Sequence, residues 1–274
     1  MKKFSFYLSL LYVLGSCASF KEVKAFAINS QKSIESYKSI DYSFSGNCNY
    51  KCSQRELEND VFQTTEKECA CKEAQLADKN VSRLLNALKN YFKGLSNLSN
   101  SNLTDFSYDA VEKPLVEGKY FSKAAMKPYS SIVGLTTKMF SDQYRARKLE
   151  KLIEVANADI ILLLDKTVTI VQDNLLPTLS SRNVEMQQIY HDLYNAPEVS
   201  DFEKFTIQKM YFAELTLVED KKAALNFFSN SIEKISKGHQ SLYDNKDKLK
   251  DKNIEKIMHK VVNDLSDIEK QIKK

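Results

Sequence analysis

Between positions 141 and 177 the apolar residues recur with helical spacing. Leu149, Ala156, Leu163 and Ile170 stand seven apart, and Leu152, Ile153, Ile160, Leu164 and Val171 flank them. A stripe this broad must be covered from more than one side, which is the demand of a helical bundle rather than of a narrow coiled-coil seam. Six Gly and four Pro in 274 residues leave few of the residues on which tight turns depend. That scarcity argues against folds of many short strands and for a few long helices.

Other segments follow the same pattern. A loose helical period covers 20–37, and a longer one covers 66–98, where Leu76, Ala77, Val81, Leu84, Leu85, Leu88, Tyr91, Phe92 and Leu95 recur every three or four residues. Between them, 41–54 holds Gly46, several Asn and two cysteines and reads as a loop. Residues 96–102 form a polar break. The stretch 103–135, with Pro114, Gly118, Pro128 and Gly134, reads as shorter pieces. Pro177 is expected to stop or kink the striped helix. A further segment through Val184, Met186, Ile189, Tyr190 and Leu193 ends before Pro197. Ser200 and Glu203 then have the spacing of a capping box, opening a helix that reaches about Gly238, and a last helix begins near Asn253. The expected fold is all-α: a single elongated bundle of long antiparallel helices with a disulfide-stapled loop near its N-terminal side.

The first residues speak to location. Lys2 and Lys3 precede twelve uncharged residues, 4–15, too few to span a hydrocarbon core but suited to the apolar part of an export signal. Leu14-Gly15-Ser16-Cys17 resembles the lipobox of bacterial lipoproteins. That resemblance implies removal of residues 1–16 and acylation of Cys17, leaving 17–274 as one soluble domain tethered through that residue. Several acyl chains on one cysteine make release from a bilayer negligible, since each buried CH₂ adds about 0.8 kcal/mol. Ala18, where Asp would mark inner-membrane retention, implies the outer membrane if the source is Gram-negative. Without the two leader lysines the formal charge falls from +4 to +2, too little to attract nucleic acid.

Cys48, Cys52, Cys69 and Cys71 are the only other cysteines. In an exported chain an even, clustered set points to disulfides. A four-thiolate metal site would favour two C-x₂-C pairs, and neither pair has that spacing. A bond within Cys69-Ala70-Cys71 is disfavoured by geometry. Two cross-pairings stay open, Cys48–Cys69 with Cys52–Cys71 or Cys48–Cys71 with Cys52–Cys69. Each closes loops worth about 3 kcal/mol in the chain-entropy model. The expected role is a staple, with no acidifying group nearby to make a redox centre.

Signatures of chemistry are missing. The glycines at 15, 46, 94, 118, 134 and 238 lie too far apart for a dinucleotide fingerprint, a phosphate-binding loop or a nucleophile elbow. His259 follows Glu255 by four residues and His191 precedes Asp192; both are expected to be surface pairs, since no third group orients either ring. Asp159 and Asp165 fall off the main stripe. Glu219 and Asp220 are followed by Lys221 and Lys222, expected to neutralise them. Tyr211-Phe212 and Phe227-Phe228 are expected to fill core. Neither catalytic residues nor a metal or cofactor are expected.

The resulting expectation is a non-enzymatic, lipid-anchored envelope protein that binds another envelope protein, for example as an immunity or exclusion factor. Its binding face should lie on the last two helices or at the staple. Two alternatives are an envelope enzyme acting on cell-wall polymers, which requires a concave pocket holding acids or a histidine, and a helical membrane-inserting toxin, for which the Asp159–Asp165 interval is the one faint candidate.

Overall fold

The computed structural model describes residues 20–59, 69–99, 113–139 and 149–272. Eight α-helices are found there: α1 (Lys21–Glu35), α2 (Phe44–Asn59), α3 (Lys72–Leu98), α4 (Met126–Met139), α5 (Leu149–Ile170), α6 (Leu176–Tyr194), α7 (Asp201–Asp244) and α8 (Lys252–Ile272). Among the described residues there is no strand, only one isolated bridge between Gly118 and Phe121. The all-α bundle expected from the periodicities is therefore what the chain forms.

Two long antiparallel stretches make the spine. One is α7, 44 residues long and hence about 66 Å from end to end. The other runs from Leu149 to Tyr194 without a break, because Pro177 neither stops nor separates the helix. A single π turn, Val171–Leu175, lies immediately before it and widens the helix where the proline ring would meet the carbonyl four residues back. The two stretches pair along their length: Asn157 with Gln240 at 3.0 Å, Asn183 with Glu219 at 3.4 Å, and Tyr190 with Glu214 at 3.4 Å.

The remaining helices cover only part of this spine. Helix α1 runs antiparallel to α7, with Phe26 beside Gly238, Tyr37 beside Phe228 (ring centroids 5.1 Å apart), and Lys221 Nζ donating to the Asp41 carbonyl at 2.9 Å. Beyond Lys221, the N-terminal twenty or so residues of α7 continue past the end of α1 with α6 as their companion. We call the covered part the trunk and the projecting α6–α7 hairpin the arm. Phe20, at the start of α1, lies under Lys250 just after the α7 C-terminus, so the tip of the arm and Phe20 are at opposite ends of the molecule.

The trunk core is one continuous cluster. Leu84, Leu88, Tyr91, Phe92 and Leu95 of α3 meet Leu152, Ile153, Leu163 and Leu164 of α5 and Phe228, Ile232 and Ile235 of α7. Each such side chain contributes about 1.5–3 kcal/mol by leaving water. Ile160 and Leu163, inside the Asp159–Asp165 interval, are wholly buried in this core, while Asp165 is exposed and Asp159 half-buried. Gly238 permits a close approach of helices: a Cβ there would stand 2.5 Å from the buried Phe26 ring and 3.2 Å from Val261.

One expectation fails locally. The segment containing Cys48 and Cys52 is helix α2, not a loop. Its first amides are satisfied from a distance: the Asp78 carboxylate of α3 accepts from Phe44 N and Ser45 N, both at 2.9 Å, and from Ser45 Oγ. Ser43 Oγ accepts from Gly46 N at 3.0 Å. An N-cap supplied 34 residues further along leaves no local mark in the sequence. Elsewhere the long N-terminal helix begins at Lys72 rather than 66, and α7 continues past Gly238 to Asp244.

Candidate functional site

The four cysteines form two nested disulfides, Cys48–Cys71 and Cys52–Cys69. Cys48 and Cys52 stand one turn apart on α2, and their partners immediately precede α3, so both bonds hold α2 against the start of α3. Asp78 adds a third tie one to two turns along. The staple thus fixes a helix, and that helix leans on the arm: Lys51 pairs with Glu185 at 2.7 Å, and the Arg182 guanidinium lies 3.6 Å from the centroid of the Tyr50 ring. Burial raises the Tyr50 pKa, opposed by the adjacent Arg182. Cys17 lies outside the described residues.

A buried polar chain crosses the trunk. Tyr91 Oη lies 2.7 Å from His239 Nε2, His239 Nδ1 lies 2.9 Å from Asn157 Oδ1, and Asn157 Nδ2 donates to Gln240 at 3.0 Å. With Asn157 Oδ1 as acceptor, Nδ1 carries the imidazole proton and Nε2 accepts from the tyrosine. Every group is then satisfied with the ring neutral. Burial pushes the His239 pKa down to about 3. With no solvent access this chain serves packing register between α3, α5 and α7 rather than catalysis. His239 was not singled out from the sequence; a histidine at a core position of a helical stripe is the only signal it offered. His191 and His259 are exposed, His191 lying 3.3 Å from Asp192 and His259 beside Asn263 at 3.2 Å rather than held by Glu255. Lys222 pairs with Glu219 at 2.8 Å, whereas Lys221 turns away to Asp41.

The arm shows the opposite chemistry. Along α7, Phe202, Phe205, Met210, Phe212 and Leu217 are 78%, 65%, 54%, 60% and 59% exposed. Their spacing places Phe202, Phe205 and Phe212 in one row, of which Phe212 reaches the edge of the groove against α6, and Met210 and Leu217 in a second on the opposite flank. Ile207, Tyr211 and Val218 face the partner helix instead. Phe212 therefore fills no core, contrary to the expectation for the Tyr211-Phe212 pair, while Phe228 does. Helix α6 adds exposed Val184 and Leu193. A shallow groove of about 260 Å³ between the two helices is lined by Tyr190, Tyr194, Ile207, Tyr211 and Phe212, with the Tyr190 and Tyr211 rings 5.6 Å apart.

Among the described residues no helix is long and apolar enough to cross a membrane, and no group of three or more His, Cys, Asp or Glu stands ready to hold a metal ion. Neither a family model, nor a curated protein, nor a solved structure matches this chain.

Proposed function

We propose that this is a lipid-anchored bacterial envelope protein that acts without catalysis, by holding another envelope protein on the outer face of its arm. An immunity or exclusion factor, which blocks an incoming protein where it is tethered, is the specific form of this reading. The observation that carries it is the pair of exposed apolar rows on α7 at the end of the molecule far from Phe20. Five large side chains, each more than half exposed, present roughly 600 Å² of apolar surface, most of the area that one side of a stable protein interface buries.

Position and charge favour a protein over a bilayer as the occupant. Two residues separate Cys17 from Phe20, a span of about 10 Å at full extension, so an acyl anchor holds the Phe20 end close to the membrane. The arm tip then stands some 60 Å away. Asp192, Glu198, Asp201 and Glu203 outnumber Lys204 and Lys209 around the tip, whereas helices that lie on anionic bilayers are rimmed by Lys and Arg. The partner this surface fits has an apolar centre and a basic rim.

Two measurements test the reading. Metabolic labelling with palmitate should mark the wild-type chain and not Cys17→Ser; an unlabelled wild type would remove the anchor. A partner recovered with the wild type should bind Phe202→Ser/Phe205→Ser at least tenfold more weakly while melting is unchanged; equal binding would remove the arm as the contact surface.

A further inference from the structure

A second site lies at the foot of the arm. A cavity of about 530 Å³ opens where α1, α3, α6, α7 and the corner before α2 converge. That volume is in the range of small-molecule pockets. Ile34, Val81 and Leu85 form apolar wall, and Tyr37 and Tyr42 line it further. Tyr42 is 8% exposed, and its hydroxyl is buried without a hydrogen-bond partner. Such a group costs free energy until something accepts its proton or donates to it. Of the other buried polar atoms without a partner, Arg182 Nε belongs to a residue that also lines this cavity.

The charges lining the cavity do not cancel evenly. Asp78 is engaged by the amides at the start of α2. Glu35 faces Lys89 at 3.8 Å and Asp41 faces Lys221 at 3.9 Å. Lys38 and Arg182 also line the cavity, and among the described residues neither has a carboxylate within ion-pair distance. We propose that this cavity binds a small organic anion, a carboxylate or phosphate carried on a short apolar body. Its charge would lie between Lys38 and Arg182, its body against Ile34, Val81 and Leu85, and an acceptor oxygen would take the proton of the Tyr42 hydroxyl. The site is separate from the outer face of α7, so loss of one leaves the other intact.

Calorimetric titration of the purified chain with phenyl phosphate and with hexanoate, at constant ionic strength, tests the proposal. One-site binding of one probe is expected, and the probe that binds identifies the head group. Lys38→Glu, at an exposed position, should weaken it about tenfold or more, and Arg182→Gln should do the same. Tyr42→Phe separates a ligand contact from a merely structural role: it should raise the melting temperature of the free protein, since an unsatisfied hydroxyl is gone, and yet weaken binding. No one-site binding of either probe up to about 1 mM, or binding that is unaffected by Lys38→Glu, would overturn the proposal.

Discussion

The trunk and the arm are built from the same two helices and obey opposite rules. In the trunk, α7 buries Leu225, Phe228, Ile232, Ile235 and Leu242 and its one histidine is satisfied on both nitrogens. In the arm, the same helix buries one side against α6 and leaves Phe202, Phe205 and Phe212 in solvent. Apolar content alone therefore does not define a core. What differs is the number of neighbours: α1, α3 and α8 surround the trunk half and stop short of the arm. Such a surface is large for a monomer.

The comparison breaks first if the two halves do not differ in stability. Leu163→Ala, in the centre of the trunk, should cost about 2–5 kcal/mol, whereas Phe205→Ser should change stability by less than about 0.5 kcal/mol. Denaturant midpoints of the two variants check this directly, and comparable losses would place Phe205 in a core. The staple comes next. Replacing Cys48 and Cys71 together by Ser should cost about 3 kcal/mol, and by freeing α2 it should raise hydrogen exchange in α6 around Arg182 and Glu185 more than in the trunk.

A further difference is a dependence on pH. His239 is neutral in the fold down to about pH 3, while an unfolded chain protonates it near its ordinary value of about 6.5. Between those limits the unfolded state binds the extra proton, so this residue makes stability fall as pH drops, by at most about 1.4 kcal/mol per pH unit. Unfolding free energies of the wild type and His239→Gln between pH 6.5 and 4 should differ in slope by that sign, with the variant the flatter of the two.

Much of the fold was legible because its determinants are local. The seven-residue spacing from Leu149 to Ile170, the capping box at Ser200 and Glu203, and the even set of clustered cysteines each carry their physics within a few residues. The capping box forms, with Glu203 N donating to Ser200 Oγ and Ser200 N to Glu203. What escaped notice depends on distant partners. Helix α2 looked like a loop because its cap is Asp78, and of the two outcomes expected at Pro177, a stop or a kink, the stop does not occur because a π turn, which leaves no compositional trace, carries the helix past the proline. The pairing of the cysteines, open between two arrangements, follows from how α2 meets α3. The arm was hardest: Phe212 lies sixteen residues from Phe228 and so on nearly the opposite side of α7, off the stripe of Val218, Leu225, Ile232 and Ile235 that the trunk buries.

The most direct test of the account is site-specific photo-crosslinking in intact cells, with the photoreactive residue placed at Phe205 on the arm or at Val155, an apolar trunk residue 54% exposed. The account predicts a discrete crosslinked protein from position 205 and none from position 155, with the product lost in Phe202→Ser. Equal crosslinking from both positions, or none from position 205, would contradict it.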